Sequence, residues 1–272
     1  MAILDLYEAT SRQKINADKS SIFFSTNTPS ELKDEIMEVM GPMQDSKHNK
    51  YLGLPSIIGK SKKEVFAEIK EKVAKKLSGW KEKMLSIGGK EILIKAVAQA
   101  IPTYAMSCFL LPKGLCDEIE GMIRRFWWGQ RDQESKIAWV SWKNLCKSKL
   151  KGGLGFRNFQ AFNLAMLAKQ GWRLLSNPHS LLARIYRAKY FPHGDVLNSK
   201  LGCCPSYAWR SIFRALEVIR CGTRWRVGNG RRIHIWDDKW LPTPTTYKVV
   251  SPPSLFDDFP MVLALIDHES RK

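Results

Sequence analysis

The stretch Tyr104–Asn158, YAMSCFLLPKGLCDEIEGMIRRFWWGQRDQESKIAWVSWKNLCKSKLKGGLGFRN, decides the fold. An apolar segment ends at Leu111, and Pro112-Lys113-Gly114 separates it from a helix reaching Trp128. That helix finishes in a basic-aromatic knot, Arg124-Arg125-Phe126-Trp127-Trp128-Gly129. Ile137–Trp142 reads as a strand or an extended Trp-bearing segment. The glycine turn Lys151-Gly152-Gly153-Leu154-Gly155-Phe156-Arg157 then leads into another helix. The reading is a mainly α chain with a few short strands.

Upstream, Thr28-Pro29-Ser30-Glu31 supplies an N-cap, a proline at the first helical position and a capping glutamate for a helix to about Met40. Ser61 and Glu64 repeat the signal, and Val65, Ile69, Val73 and Leu77 follow on one helical face. Gly88-Gly89 precedes a helix over 90–100. Downstream, Ala161, Leu164, Ala165, Ala168, Trp172 and Leu175 keep helical spacing, Pro178 restarts a helix to about Tyr190, and Tyr207–Arg220 forms another. The period then changes. Trp225-Arg226-Val227, Asn229-Gly230 and Ile233-His234-Ile235-Trp236 read as a β-hairpin. Past Pro242 the chain is proline-rich and irregular.

The 272 residues carry a net charge of +18, concentrated in the middle of the chain. Residues 158–232 hold 13 Lys/Arg against two acids, which is not a mixed solubilising surface. Such an excess favours a polyanion, nucleic acid before an anionic membrane. The apolar run Ile92–Leu111 contains Lys95, Gln99, Pro102 and Thr103, so it reads as two core helices broken at Ile101-Pro102 rather than a membrane span. Six cysteines without a secretory leader read as reduced thiols of an intracellular protein.

Chain-long motifs point to an ancestry. Ile3-Leu4-Asp5-Leu6-Tyr7-Glu8, Tyr51-Leu52-Gly53-Leu54-Pro55, Leu77-Ser78-Gly79-Trp80-Lys81, Ser86-Ile87-Gly88-Gly89-Lys90, the Tyr104–Asn158 stretch, Trp225-Arg226-Val227-Gly228-Asn229-Gly230 and Trp236-Asp237-Asp238-Lys239-Trp240-Leu241-Pro242 occur in order. Together they closely resemble plant LINE-type (non-LTR) retroelement reverse transcriptases, in the region C-terminal to the catalytic palm. The resemblance implies descent from an RNA-directed DNA polymerase and a thumb-like helical bundle followed by a helical and β-hairpin linker. Its implied divisions are 1–59 (after the palm), 60–128 (thumb-like), 129–242 (basic, Trp-rich linker) and 243–272 (irregular tail). It also implies that Val65, Ile69, Leu93, Val97 and Phe109 form an exposed apolar face for an absent palm domain, the second expected partner.

Catalytic chemistry has no visible seat. Polymerisation needs carboxylates holding two Mg²⁺ ions ~4 Å apart, and the family's paired Asp element lies upstream of the match to Ile3. Asp237-Asp238 and Asp257-Asp258 lack a third carboxylate in a strand context and read as surface acids. Cys203-Cys204, Cys221, His193 and His234 lack zinc-ligand spacing. Neither a nucleophile nor a cofactor motif is present. The turns at Gly152-Gly153 and Gly88-Gly89 are incomplete as phosphate loops. They read as tight connections, with the next helix start free to meet a nucleic-acid phosphate.

One constellation remains, a basic-aromatic surface. Lys151, Arg157, Lys169, Arg173, Arg184, Arg187, Lys189, Arg210, Arg214, Arg224, Arg226, Arg231 and Arg232 are its candidate phosphate contacts. Trp127, Trp139, Trp172 and Trp209 are individually expected in the core. The expected partner is RNA or an RNA–DNA hybrid, with no membrane and no metal, in the nucleus or the mitochondrion. A second reading is an organellar or host-retained open reading frame product that acts as a helical interaction module or has no function.

Overall fold

The computed structural model describes residues 2–14, 16, 20–25, 27–41, 44–45, 50–51, 53–55, 58–59, 61–81, 85–129, 137–242, 246–251 and 260–266. The chain is mainly α and forms two compact units, Met1–Ala74 and Lys75–Lys272. In the first, α1 (Ala2–Ser11) and α2 (Ser30–Met40) accompany two pairs of two-residue strands. The pairs are β1 (Ser21–Ile22) parallel to β2 (Gln44–Asp45), and β3 (Lys50–Tyr51) antiparallel to β4 (Leu54–Pro55). Pro29, expected inside α2, instead stands at its N-cap without a side-chain cap bond. The helix expected from Ser61 is interrupted at Phe66, leaving α3 (Lys62–Val65) and α4 (Ala67–Lys81). Phe66, Val73 and Leu77 are buried, while Val65 and Ile69 are only partly so.

The second unit positions the basic surface. α5 (Ile87–Leu93) starts at Ser86, whose Oγ accepts the Gly89 N–H at 3.1 Å, and runs into a π-helical turn at Ile94–Ala98. Pro102 breaks the chain as expected, and α6 (Thr103–Cys108) follows. α7 (Lys113–Trp127) buries Leu115, Cys116, Ile119, Ile123 and Phe126, the single stripe that helical spacing dictates. No strand forms over Ile137–Trp142. Ile137 and Trp139 project into solvent, and Ser141 caps the short helix α8 (Trp142–Leu145).

α9 (Phe159–Ser176) and α11 (Tyr207–Gly222) pack along one another and enclose Leu167, Ala168, Leu174, Trp209, Ile212, Ala215, Leu216 and Ile219. Gly171 permits the crossing: a Cβ there would lie 2.9 Å from Leu216 Cδ2 and 3.0 Å from Ile219 Cδ1. α10 (Leu181–Tyr190) is held by aromatics, with Tyr190 stacked on Trp209 at 4.8 Å and Phe191 stacked on it at 5.7 Å. The segment joining α6 to α7 is fastened by both long helices. Asn163 on α9, itself buried, donates to the carbonyls of Met106 and Phe109 and accepts the Leu111 N–H. From α11, Ser211 accepts the Leu110 N–H at 2.9 Å and the Tyr207 hydroxyl donates to the Leu110 carbonyl.

The expected hairpin over residues 225–236 does not form. Trp225 donates to the Lys239 carbonyl instead, and the 233–235 segment pairs with residues 260–262 through a bridge between His234 and Met261. Ile233, Ile235 and Val262 then bury one another under Trp236 and Trp240. Gly230 turns this segment at φ 67°, where a Cβ would meet the Leu263 backbone N at 2.5 Å. The C-terminal segment thus takes the pairing that a local hairpin would have used.

Candidate nucleic-acid interface

Lys169 and Arg173 stand exposed one turn apart on α9, and Arg210 and Arg214 do the same on α11. Arg184, Arg187 and Lys189 are exposed on α10, of which only Ala183 is buried. Like charges at i,i+4 weaken a helix by about 0.2–0.5 kcal/mol per pair. The two acids of residues 158–232 offset little of this. Glu217 is drawn to Arg220 at 3.3 Å and to Cys221, and Asp195 lies in the loop after α10. Beyond α11, Arg226, Arg231 and Arg232 are exposed on irregular chain, and Arg224 lies 5.6 Å from the Tyr247 ring.

Two of the thirteen candidates sit elsewhere. Arg157 is turned inward, donating to the Gln99 carbonyl at 3.2 Å with its guanidinium 4.5 Å from the Phe162 ring. Lys151 is exposed at the end of a 3-10 turn (Lys149–Lys151), away from the long helices in sequence. Its neighbour Lys149 shares Glu91 with Lys95, at 2.8 and 2.7 Å. These two ammonium groups hold the Glu91 carboxyl below the usual range, Lys149 first. Glu91 has no signal in the sequence beyond its i,i+4 spacing to Lys95.

The glycine turn is a tight connection whose backbone N–H groups are used locally. Gly152, Gly153, Leu154, Gly155 and Phe156 donate to the carbonyls of Lys149, Ser148, Leu145, Lys147 and Leu145 in turn. Gly153 is packed so closely that a Cβ would lie 2.1 Å from the Lys147 carbonyl oxygen. The helix start that follows is occupied as well. Asn158 Oδ1 accepts the Ala161 N–H at 2.9 Å, and Glu120 of α7 accepts the Phe159 N–H at 2.6 Å. A carboxylate at the positive end of α9 uses the helix's affinity for anions internally. Burial nevertheless raises the Glu120 carboxyl, the Phe159 N–H opposing and Asp117 adding to the shift.

The tryptophans divide. Trp209 is fully buried and Trp127 packs edge-on against Phe156 at 5.4 Å. Trp139 and Trp172, expected in the core, are 79% and 53% exposed, and Trp225 is exposed as well. Aromatic faces therefore do accompany the cations at the surface. Among the described residues no three His, Cys, Asp or Glu side chains come together as a metal site, and no helix is long and apolar enough to cross a membrane. Asp238 accepts the His234 N–H at 2.7 Å and so serves a turn; Asp257 and Asp258 lie outside the described residues.

Fold and surface together define a helical, strongly basic polypeptide with cations on successive helices. It shares 45% identity over 147 residues with "Uncharacterized mitochondrial protein AtMg00310" of Arabidopsis thaliana, a match that covers 54% of this chain and 96% of that protein. The chain belongs to the same family as that mitochondrial protein. It is also 34% identical over 193 residues to "Putative ribonuclease H protein At1g65750" of Arabidopsis thaliana, covering 69% of this chain but only 31% of the relative. No family model matches the chain.

Proposed function

We propose that the chain is a retrotransposon-related remnant, derived from a LINE-type reverse transcriptase, that binds RNA or an RNA–DNA hybrid and performs no synthesis itself. The observation that carries this reading is the exposure of twelve of the thirteen candidate cations, eleven of them within residues 158–232. Phosphates would be neutralised by these side chains, and the exposed tryptophans give bases a surface to stack on. The divisions at 1–59, 60–128, 129–242 and 243–272 belong to the same proposal. So does docking of a palm-type domain on the thumb-like region: Val65, Ile69, Leu93, Val97 and Phe109, expected to face it, are partly buried, and Ile87, Ile92 and Tyr104 are the exposed apolar side chains nearby in sequence. Its test is titration of fluorescent RNA, hybrid and duplex DNA with the purified chain, alongside template-directed primer extension with Mg²⁺. Binding without extension supports the proposal; absence of binding at 50 mM salt refutes its first half, and extension refutes its second.

A second reading is favoured by one comparison. The match spans nearly all of the mitochondrial relative and just over half of this chain, which supports a product that stands apart from a full-length polymerase. On that reading the chain is an organellar or host-retained product, and the mitochondrion is its proposed compartment. A helical interaction module of this kind would bind a protein partner and leave RNA unbound in the same titration.

A further inference from the structure

Helical spacing places Trp172 in the core, and the structure places it in solvent. Gly171 and Leu174 face the α9–α11 core, whereas Trp172 is 53% exposed, with exposed Lys169 one turn before it and exposed Arg173 beside it. One turn further along α9, Leu175 walls a cleft of about 130 Å³ between the end of α9 and α10. Buried Leu174, Ala183, Phe191 and Val196 line it, and exposed Arg187 and Asp195 stand among its walls. Pockets that enclose a whole small ligand run to ~300–1,000 Å³. This one has room for a single ring-sized group, the kind a polymer presents one unit at a time.

We infer that this face binds single-stranded nucleic acid, with an unpaired base stacked on Trp172, its neighbour at the adjoining cleft, and backbone phosphates on Lys169, Arg173 and Arg187. The inference rests on the nucleic-acid-binding reading above and narrows its substrate class. Charge does not separate single strands from duplexes, because both present phosphates. An exposed aromatic does: duplex bases keep their faces stacked inside, while an unpaired base offers one. The cations lie on either side of the ring along α9 and across the cleft on α10, matching a strand whose backbone runs beside its bases. An acidic protein segment would satisfy the cations but has no use for an aromatic platform beside a ring-sized cleft.

The test compares an unstructured 20-nucleotide RNA with duplex RNA and an RNA–DNA hybrid of equal length, by fluorescence anisotropy at one salt concentration. The wild-type chain should bind the single strand most tightly. Trp172→Ala should weaken single-strand binding roughly 5- to 150-fold, the range for one stacked base, and leave both duplexes unchanged. Trp172→Phe should restore most of the loss, and Lys169→Glu with Arg173→Glu should weaken all three ligands alike. Because Trp172 is half-exposed and lies outside the α9–α11 core, the alanine variant should still melt in one cooperative transition. A variant-free measurement guards against misfolding: ultraviolet crosslinking of the wild-type chain to the single strand should label the tryptic peptide Gln170–Arg173. Equal losses on single strand and duplex, no loss at all, or crosslinks confined to other peptides would overturn the inference while leaving nucleic-acid binding intact. If wild type binds none of the three ligands, this inference and its parent reading fall together.

Discussion

Asn163 is buried on α9, and its amide makes three hydrogen bonds there: two to the carbonyls of Met106 and Phe109 and one from the Leu111 N–H. Asn163→Leu would strand three backbone groups in an apolar setting, at about 1–3 kcal/mol for each unsatisfied group. We expect a loss of ~3 kcal/mol or more in urea denaturation; a loss below ~1 kcal/mol would show that the latch contributes little. Glu120 gives a signature in pH. Burial raises its folded-state pKa, so its contribution to stability is fullest below the ordinary carboxylate range and is lost as pH rises through the raised value. Glu120→Gln keeps an oxygen for the Phe159 N–H and should flatten that decline in melting temperature, whereas an unchanged profile would assign the titration to another group. Cysteines report burial directly. Cys116 is pushed up to about 12 by burial, then by Glu120 and Asp117, while Cys203 and Cys204 are exposed. A thiol reagent at pH 8 should label Cys203 and Cys204 in the native state and Cys116 only after unfolding; native labelling of Cys116 would contradict its burial. Asn163 was hidden from sequence reasoning because α9 is apolar on nearly every side. Ala161, Ala165 and Trp172 lie at helical spacing, as do Phe159, Asn163, Leu167, Gly171 and Leu174, and only the second set is buried.

Where the apolar stripe is single, as on α7, periodicity fixes the helix and its buried face together. Where apolar residues surround the helix, as on α9, it fixes the helix and leaves its rotation open. The phase of α9 is set by its partner, through the gap at Gly171. Alanine there gains ~1 kcal/mol of helix propensity and presses on two side-chain methyl groups, a near balance. A branched chain cannot balance: Gly171→Val should cost about 1–3 kcal/mol from overpacking, read as a shifted denaturation midpoint, and a neutral valine would mean that α9 and α11 do not pack this closely. Extended segments failed differently. Trp225–Trp236 has strand-like residues around Asn229-Gly230, yet its pairing partner is residues 260–262, more than twenty positions away. Long-range pairing leaves no local mark. The helix start after the glycine turn looked open for the same reason, since its Phe159 N–H is taken by Glu120 on another helix, 39 positions away.

At the scale of the whole molecule, composition was the most legible property and the structure gives it a location. The +18 net charge is carried largely on exposed helical and irregular surface of residues 158–232, free of an intervening acidic face. Such a surface attracts polyanions through counterion release, which has a distinctive dependence on salt. The central claim is therefore tested most directly by the affinity for RNA between 50 and 200 mM salt, in the wild-type chain and in a variant carrying Arg184→Glu, Arg187→Glu, Arg226→Glu and Arg231→Glu. With six or more phosphate contacts the wild type should lose roughly 10³-fold or more across that range, and the variant should bind more weakly with a flatter slope. Unchanged affinity and slope in the variant would contradict the placement of the interface, and a wild-type chain with no affinity for RNA at 50 mM salt would contradict the claim itself.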